Sequence, residues 1–103
     1  MIEACFKRSR GELCGFSVSG HSGYDYEGRD IVCASVSSAV MMTCNAMTEI
    51  FKVDAEIAAD GNVISAKVGK SNDGRKLIEA LKLHLEALAE DYPENITFKI
   101  SEV

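Results

Sequence analysis

A chain of 103 residues suffices for one domain spanning 1–103, and its 47% hydrophobic content lies outside the disordered range. Eleven Lys and Arg against sixteen Asp and Glu leave a net charge of -5, which argues against nucleic acid as a partner, because phosphates are bound by concentrated basic side chains. Glu3 comes early and no basic-then-apolar leader precedes the body, so no secretory signal is expected; no window approaches the roughly 18 uninterrupted apolar residues of a membrane span.

Residues 2–8 put Ile2, Ala4 and Phe6 on one face and Glu3, Cys5 and Lys7 on the other, the period of a strand. Ser9-Arg10-Gly11-Glu12 is a turn signal, and 13–19 reads as the returning strand of a hairpin. A loop over 21–29 follows Gly20 and is punctuated by Gly23 and Gly28. Asp30 reads as the N-cap of a helix over 31–51 that holds no Gly or Pro and no charge between Asp30 and Glu49. Its apolar residues cover more than one narrow stripe, which predicts burial on most sides, beneath a sheet or at a subunit interface. Strands over 53–58 and 62–68 flank the hairpin signal Asp60-Gly61-Asn62. Ser71-Asn72-Asp73 caps a second helix over 71–91, in which Leu77, Leu81, Leu85 and Leu88 recur at helical spacing. Pro93 ends it, and 96–100 is the last strand. The order ββαββαβ predicts an α/β (α+β) two-layer sandwich, a hairpin-rich sheet packed with two helices.

The four cysteines (5, 14, 33 and 44) contain no Cys-x-x-Cys pair, which disfavours a structural zinc site. The expected compartment is the reducing cytoplasm, where they are thiols. One hairpin register would set Cys5 opposite Cys14. Cys44 reads as core, and His84 as a boundary residue of the second helix rather than a catalytic base.

The chemistry concentrates in residues 20–37. His21 ends a strand and opens the loop; Cys33 falls in the first turn of the long helix, three positions after the proposed cap. The exposed N–H groups and positive end of a helix N-terminus favour an anion, so a thiol there is favoured as its reactive thiolate. A nearby His can take the thiol proton and return it to a leaving amine, and backbone N–H groups of the same turn can hold an oxyanion. On composition alone, a packed structural cysteine and a solvated loop histidine account for the same residues.

The run Gly20-His21-x-Gly23-Tyr24-x-x-x-Gly28-x-Asp30-Ile31-Val32-Cys33-Ala34, continuing to Ser37, closely resembles the signature of the ribosomal-processing cysteine protease (Prp) family, and the resemblance extends along the whole chain. It implies a small homodimeric bacterial protein that removes an N-terminal extension from large-subunit ribosomal protein number twenty-seven, cutting after an apolar, aromatic-containing segment. Carried over by position, the family's catalytic histidine falls on His21 and its nucleophile on Cys33. Gly20, Asp30 and Ser37 match further motif positions. No metal or organic cofactor is implied.

Two roles are open to Asp30: capping the helix or orienting the His21 ring. Ser37, one turn beyond Cys33 on the same face, either bonds near the thiol or is a small residue in a crowded contact. Gly23 and Gly28 are candidate hinges of a substrate-binding loop, with Tyr24 or Tyr26 lining the groove. The expected partner is the N-terminal peptide of a ribosomal protein precursor, with no membrane involved. Two rivals remain at this point: a non-catalytic ribosome-assembly module that binds the same peptide, and a redox-sensing thiol at Cys33.

Overall fold

A computed structural model describes residues 1–20 and 31–103. They form β1 (Ile2–Ser9), β2 (Glu12–Ser19), α1 (Ile31–Asn45) prolonged by a π-helical turn (Ala46–Ile50), β3 (Ala55–Asp60), β4 (Val63–Val68), α2 (Asn72–Asp91) and β5 (Ile96–Glu102). The order is the expected ββαββαβ, and the architecture is the expected α+β sandwich. The five strands make one sheet in the order β3-β4-β2-β1-β5. Three neighbouring pairs are antiparallel; β1 and β5 run parallel, with Ile2 opposite Ile96. α1 links β2 to β3, and α2 links β4 to β5. Each therefore joins two parallel strands that are not neighbours, a connection that requires a crossover.

The alternation in β1 survives in the fold: Ile2, Ala4 and Phe6 are buried while Glu3 and Lys7 are exposed. Phe6 pairs with Phe16 across the β1–β2 ladder, and its ring lies 6.0 Å from that of Phe16 and 5.4 Å from that of Phe98 on β5. Both distances suit tilted aromatic packing. The helices complete this core with Val36, Val40 and Met47 from the first and Ile78, Leu81 and Leu85 from the second.

Local geometry explains the turns. Arg10 (φ 55) and Gly11 (φ 80) both take left-handed conformations, the signature of a type I′ hairpin turn. A bulge between Lys7 and Arg8 leaves Cys14 without a cross-strand partner and turns Leu13 inward. The Ser71 hydroxyl accepts from the Gly74 N–H at 3.0 Å, capping α2 as its sequence predicts. Arg75 of α2 forms an ion pair with Glu12 beside the first hairpin turn.

Three expectations change. The strand expected over 53–58 starts and ends two residues later. Lys52 adopts φ 52, and the Val53 N–H is taken by the Met47 carbonyl at 2.7 Å, so Val53 belongs to the helix end rather than the ladder. Cys5 and Cys14 do not face each other: Cys5 pairs with Ser17, its sulfur 3.6 Å from the Ser101 hydroxyl, and Cys14 donates to the Lys7 carbonyl at 3.6 Å. Finally, α1 is buried on one stripe, not on most sides. Val32, Val36, Val40 and Thr43 face the core, whereas Ile31, Met41 and Met42 are 58–70% exposed. By length and mean hydropathy the stretch Ile31–Ile50 falls in the range of a membrane-crossing helix, although Ser35, Ser37, Ser38, Thr43 and Asn45 interrupt its apolar run. Its buried stripe makes it a core helix of the sandwich.

Candidate active site

The parallel and antiparallel pairings bring four chain segments to one end of the sheet. β1 starts there at Ile2 and β2 ends there at Ser19. β4 starts there, with Val63 opposite Ser19, so the β3–β4 turn at Gly61 and Asn62 stands beside the end of β2. α1 begins over the same end. Between them lies a cavity of about 50 Å³. Its apolar walls include Ile2, Val40 and Ile64; its chemically distinctive members are Gly20, Cys33, Ser37 and Asn62.

Cys33 is half-buried in the first turn of α1, a helix whose first turn carries no acidic side chain. The N–H groups of that turn and the positive end of the helix dipole therefore act on the region around the sulfur. Ser37, exposed and one turn further, lines the same cavity. Gly20 has φ 87, a left-handed conformation, and a Cβ at this position would overlap the Met1 carbonyl oxygen. Only glycine lets the chain leave β2 in this direction while lying against the start of β1.

Of the residues singled out in the sequence, Gly20, Cys33 and Ser37 come together. His21, Gly23, Tyr24, Tyr26, Gly28 and Asp30 lie outside the described residues. The sequence marks Asn62 only as part of a turn, and its place beside Cys33 is new. No spacing signal announces it, because the proximity is made by the β2–β4 register. The remaining thiols are remote in role: Cys44 packs against the core, and burial pushes its thiol up from the ordinary 9.0. His84 is exposed on α2, where it lines a separate groove of about 810 Å³ with Ile31, Ala34 and Met42. Those residues lie on the other flank of α1 from Cys33 and Ser37.

A family model described as cysteine protease Prp matches residues 1–97. The chain is 30% identical to the ribosomal processing cysteine protease Prp of Bacillus subtilis, over 93% of this chain and 94% of the relative. It is 29% identical to the protein of the same name from Staphylococcus aureus, over 84% of this chain and 85% of the relative. Among solved structures, SMU.848 from Streptococcus mutans superposes with a TM-score of 0.87 at 32% identity, covering 100% of this chain and 96% of that one. The S. aureus ribosomal processing protease Prp, solved with a covalently linked product peptide, superposes with a TM-score of 0.89 at 22% identity, covering 98% of this chain and 100% of that one.

Proposed function

The chain belongs to the cysteine protease Prp family, and from that premise we propose that Cys33 is its nucleophile and His21 its general base, and that it removes the N-terminal extension of a ribosomal protein precursor. The observation that carries this reading is the position of Cys33: the first turn of α1, in one cavity with Gly20, the residue that precedes His21 in the sequence. The curated relatives are named for ribosomal processing, which supports the substrate class. We carry it to large-subunit protein number twenty-seven on the sequence resemblance. A net charge of -5 suits a basic ribosomal protein.

The chemistry runs as acyl transfer. The imidazole of His21 takes the Cys33 thiol proton, and the thiolate attacks the scissile carbonyl carbon. The carbonyl pair moves onto oxygen, where N–H donors of the first turn of α1 hold the oxyanion. Collapse expels the new N-terminal amine with the proton from imidazolium and leaves a thioester on Cys33. Water, deprotonated by His21, releases the acid product. In this scheme Asp30 caps α1 or orients His21, Ser37 sits beside the thiol, and Gly23, Tyr24 and Gly28 belong to a substrate-binding loop. We further infer a homodimer, supported by the exposed apolar residues Ile31, Met41 and Met42 on α1. We also infer a cytoplasmic location, whose reducing conditions suit a chain with four free cysteines.

The test is mass spectrometry of a peptide copying the host ribosomal protein's N-terminus after incubation with wild type or Cys33→Ala. Two fragments with wild type and none with the variant support the protease reading. Cleavage by Cys33→Ala removes Cys33 as the nucleophile. An intact peptide that still binds both proteins favours the assembly-factor rival.

A further inference from the structure

The structure points to Asn62 as a second-wall oxyanion donor, and we propose that its side-chain amide hydrogen-bonds the carbonyl oxygen of the scissile peptide as that oxygen becomes negative. The inference rests on the reading of Cys33 as nucleophile. Three observations support it.

First, Asn62 and Cys33 line one cavity from different directions, the β3–β4 turn on one side and the start of α1 on the other. An oxyanion that accepts from two directions is held in place, whereas donors from one helix turn alone constrain it on one side. Second, the cavity measures about 50 Å³. Such a space holds more than one water molecule, so a substrate carbonyl oxygen can enter it and displace water beside Asn62 and Cys33. Third, the turn does not require asparagine at this position. Gly61 takes the left-handed conformation (φ 63) and Asn62 does not. The Asn62 side chain is exposed and forms no hydrogen bond among the described residues, so its N–H groups are available to a substrate. The turn is also held from both sides, by the Asp60–Val63 pair of its own hairpin and the Ser19–Val63 pair of the β2–β4 ladder. A donor mounted there is pre-positioned.

Asn62 takes no proton and forms no covalent bond. As the Cys33 sulfur bonds to the carbonyl carbon and the carbonyl pair shifts to oxygen, the amide N–H···O bond shortens and strengthens. When the amine leaves with the proton held by His21, the pair returns to the carbonyl and the bond relaxes.

The test is steady-state cleavage of the ribosomal-protein N-terminal peptide by wild type, Asn62→Ala and Asn62→Asp, with iodoacetamide alkylation of Cys33 and thermal melting measured in parallel. Loss of one such donor is expected to lower kcat by about 10²–10³-fold with KM nearly unchanged. Asn62→Asp keeps the shape, loses the donor and adds a repelling charge, so it is expected to fall at least as far. The alkylation rate and melting temperature should match wild type in Asn62→Ala, since no oxyanion forms in alkylation; in Asn62→Asp the added carboxylate also disfavours the thiolate and slows alkylation, so its kcat is expected to fall further than its alkylation rate. Asn62→Gln, which keeps a donor on a longer arm, should recover part of kcat. Wild-type kcat in Asn62→Ala, or a loss confined to KM, overturns the proposal. A fall in the kcat of Asn62→Ala matched by an equal fall in its alkylation rate also overturns it, because the effect then lies in the thiol. Cys33→Ala assayed alongside separates the two readings: if it still cleaves, the nucleophile is wrong; if it is dead while Asn62→Ala is fully active, only the role of Asn62 fails.

Discussion

Two glycines with nearly the same backbone conformation allow the strain of a left-handed residue to be separated from the cost of crowding. Gly11 has φ 80 and open space where a Cβ would project, with nothing within 4 Å; Gly20 has φ 87 and the Met1 carbonyl oxygen in the way. Gly11→Ala is therefore expected to cost only the left-handed penalty, roughly 1–2 kcal/mol. Gly20→Ala adds to that the displacement of packed backbone, about 1–3 kcal/mol by analogy with overpacked sites. For a domain of this size one kcal/mol corresponds to roughly 4–8 °C in Tm. Gly11→Ala should then melt about 4–16 °C below wild type, and Gly20→Ala lower by at least about another 4 °C. Thermal unfolding followed by far-UV circular dichroism, with urea titrations to check that the m-value is unchanged, reads both. Equal melting temperatures for the two variants would refute the reasoning, since the close approach of Gly20 to β1 would then carry no energy. Gly20→Ala should also lose peptide cleavage at temperatures where it remains folded, because the wall of the Cys33 cavity moves; Gly11→Ala, at the far end of the sheet, should not.

Further outcomes follow from other sites. A Cβ on Gly74 would meet Val68 Cγ1 at 3.0 Å and Val53 Cγ1 at 3.1 Å, so Gly74→Ala should lower Tm by a few degrees although alanine favours helix; a higher Tm would mean the valines give way freely. Arg10 occupies a left-handed position at φ 55, and Arg10→Asn should recover about 1 kcal/mol of that strain, seen as a rise in the urea midpoint. Burial pushes the Cys44 thiol up, which favours its neutral form in the fold. The stability linked to that form is present below the ordinary value of 9.0 and declines as pH rises through the folded value, so a denaturation series from pH 7 to 10.5 should show a loss that Cys44→Ala lacks. Met41→Lys together with Met42→Lys places two charges on the exposed face of α1 and should shift a dimer to monomer in sedimentation; an unchanged mass removes that face as the interface.

The succession of elements is legible in the sequence because each carries its own period: alternation in β1, leucines at helical spacing in α2, glycines at turns. Cys33 at a helix start is legible for the same reason, being local. The start of β3 is not, since it depends on Lys52 turning left-handed and on the Val53 N–H binding the Met47 carbonyl. The burial of α1 is misjudged from sequence because small and apolar residues look alike whether they face a core or open surface. The place of β1 between β2 and β5 in the sheet and the arrival of Asn62 beside Cys33 are hidden altogether. Both are made by pairings between distant segments, and no stretch of sequence read by itself contains them.

The parallel β1–β5 pair is the last pairing of the sheet that synthesis makes possible. Ile2, a wall of the Cys33 cavity, is anchored by its N–H to the Asn95 carbonyl at 2.8 Å, and the rest of β1 is lined along residues 96–102. During synthesis those residues emerge after β1 to β4 and both helices have been made. A nascent chain can close its two hairpins and both helices while the end of the sheet that frames the cavity still lacks its fifth strand. Non-local pairing of this kind is also the slow part of folding. The wall that Ile2 gives the Cys33 cavity is thus tied down from the β5 side only after the rest of the sheet has been made.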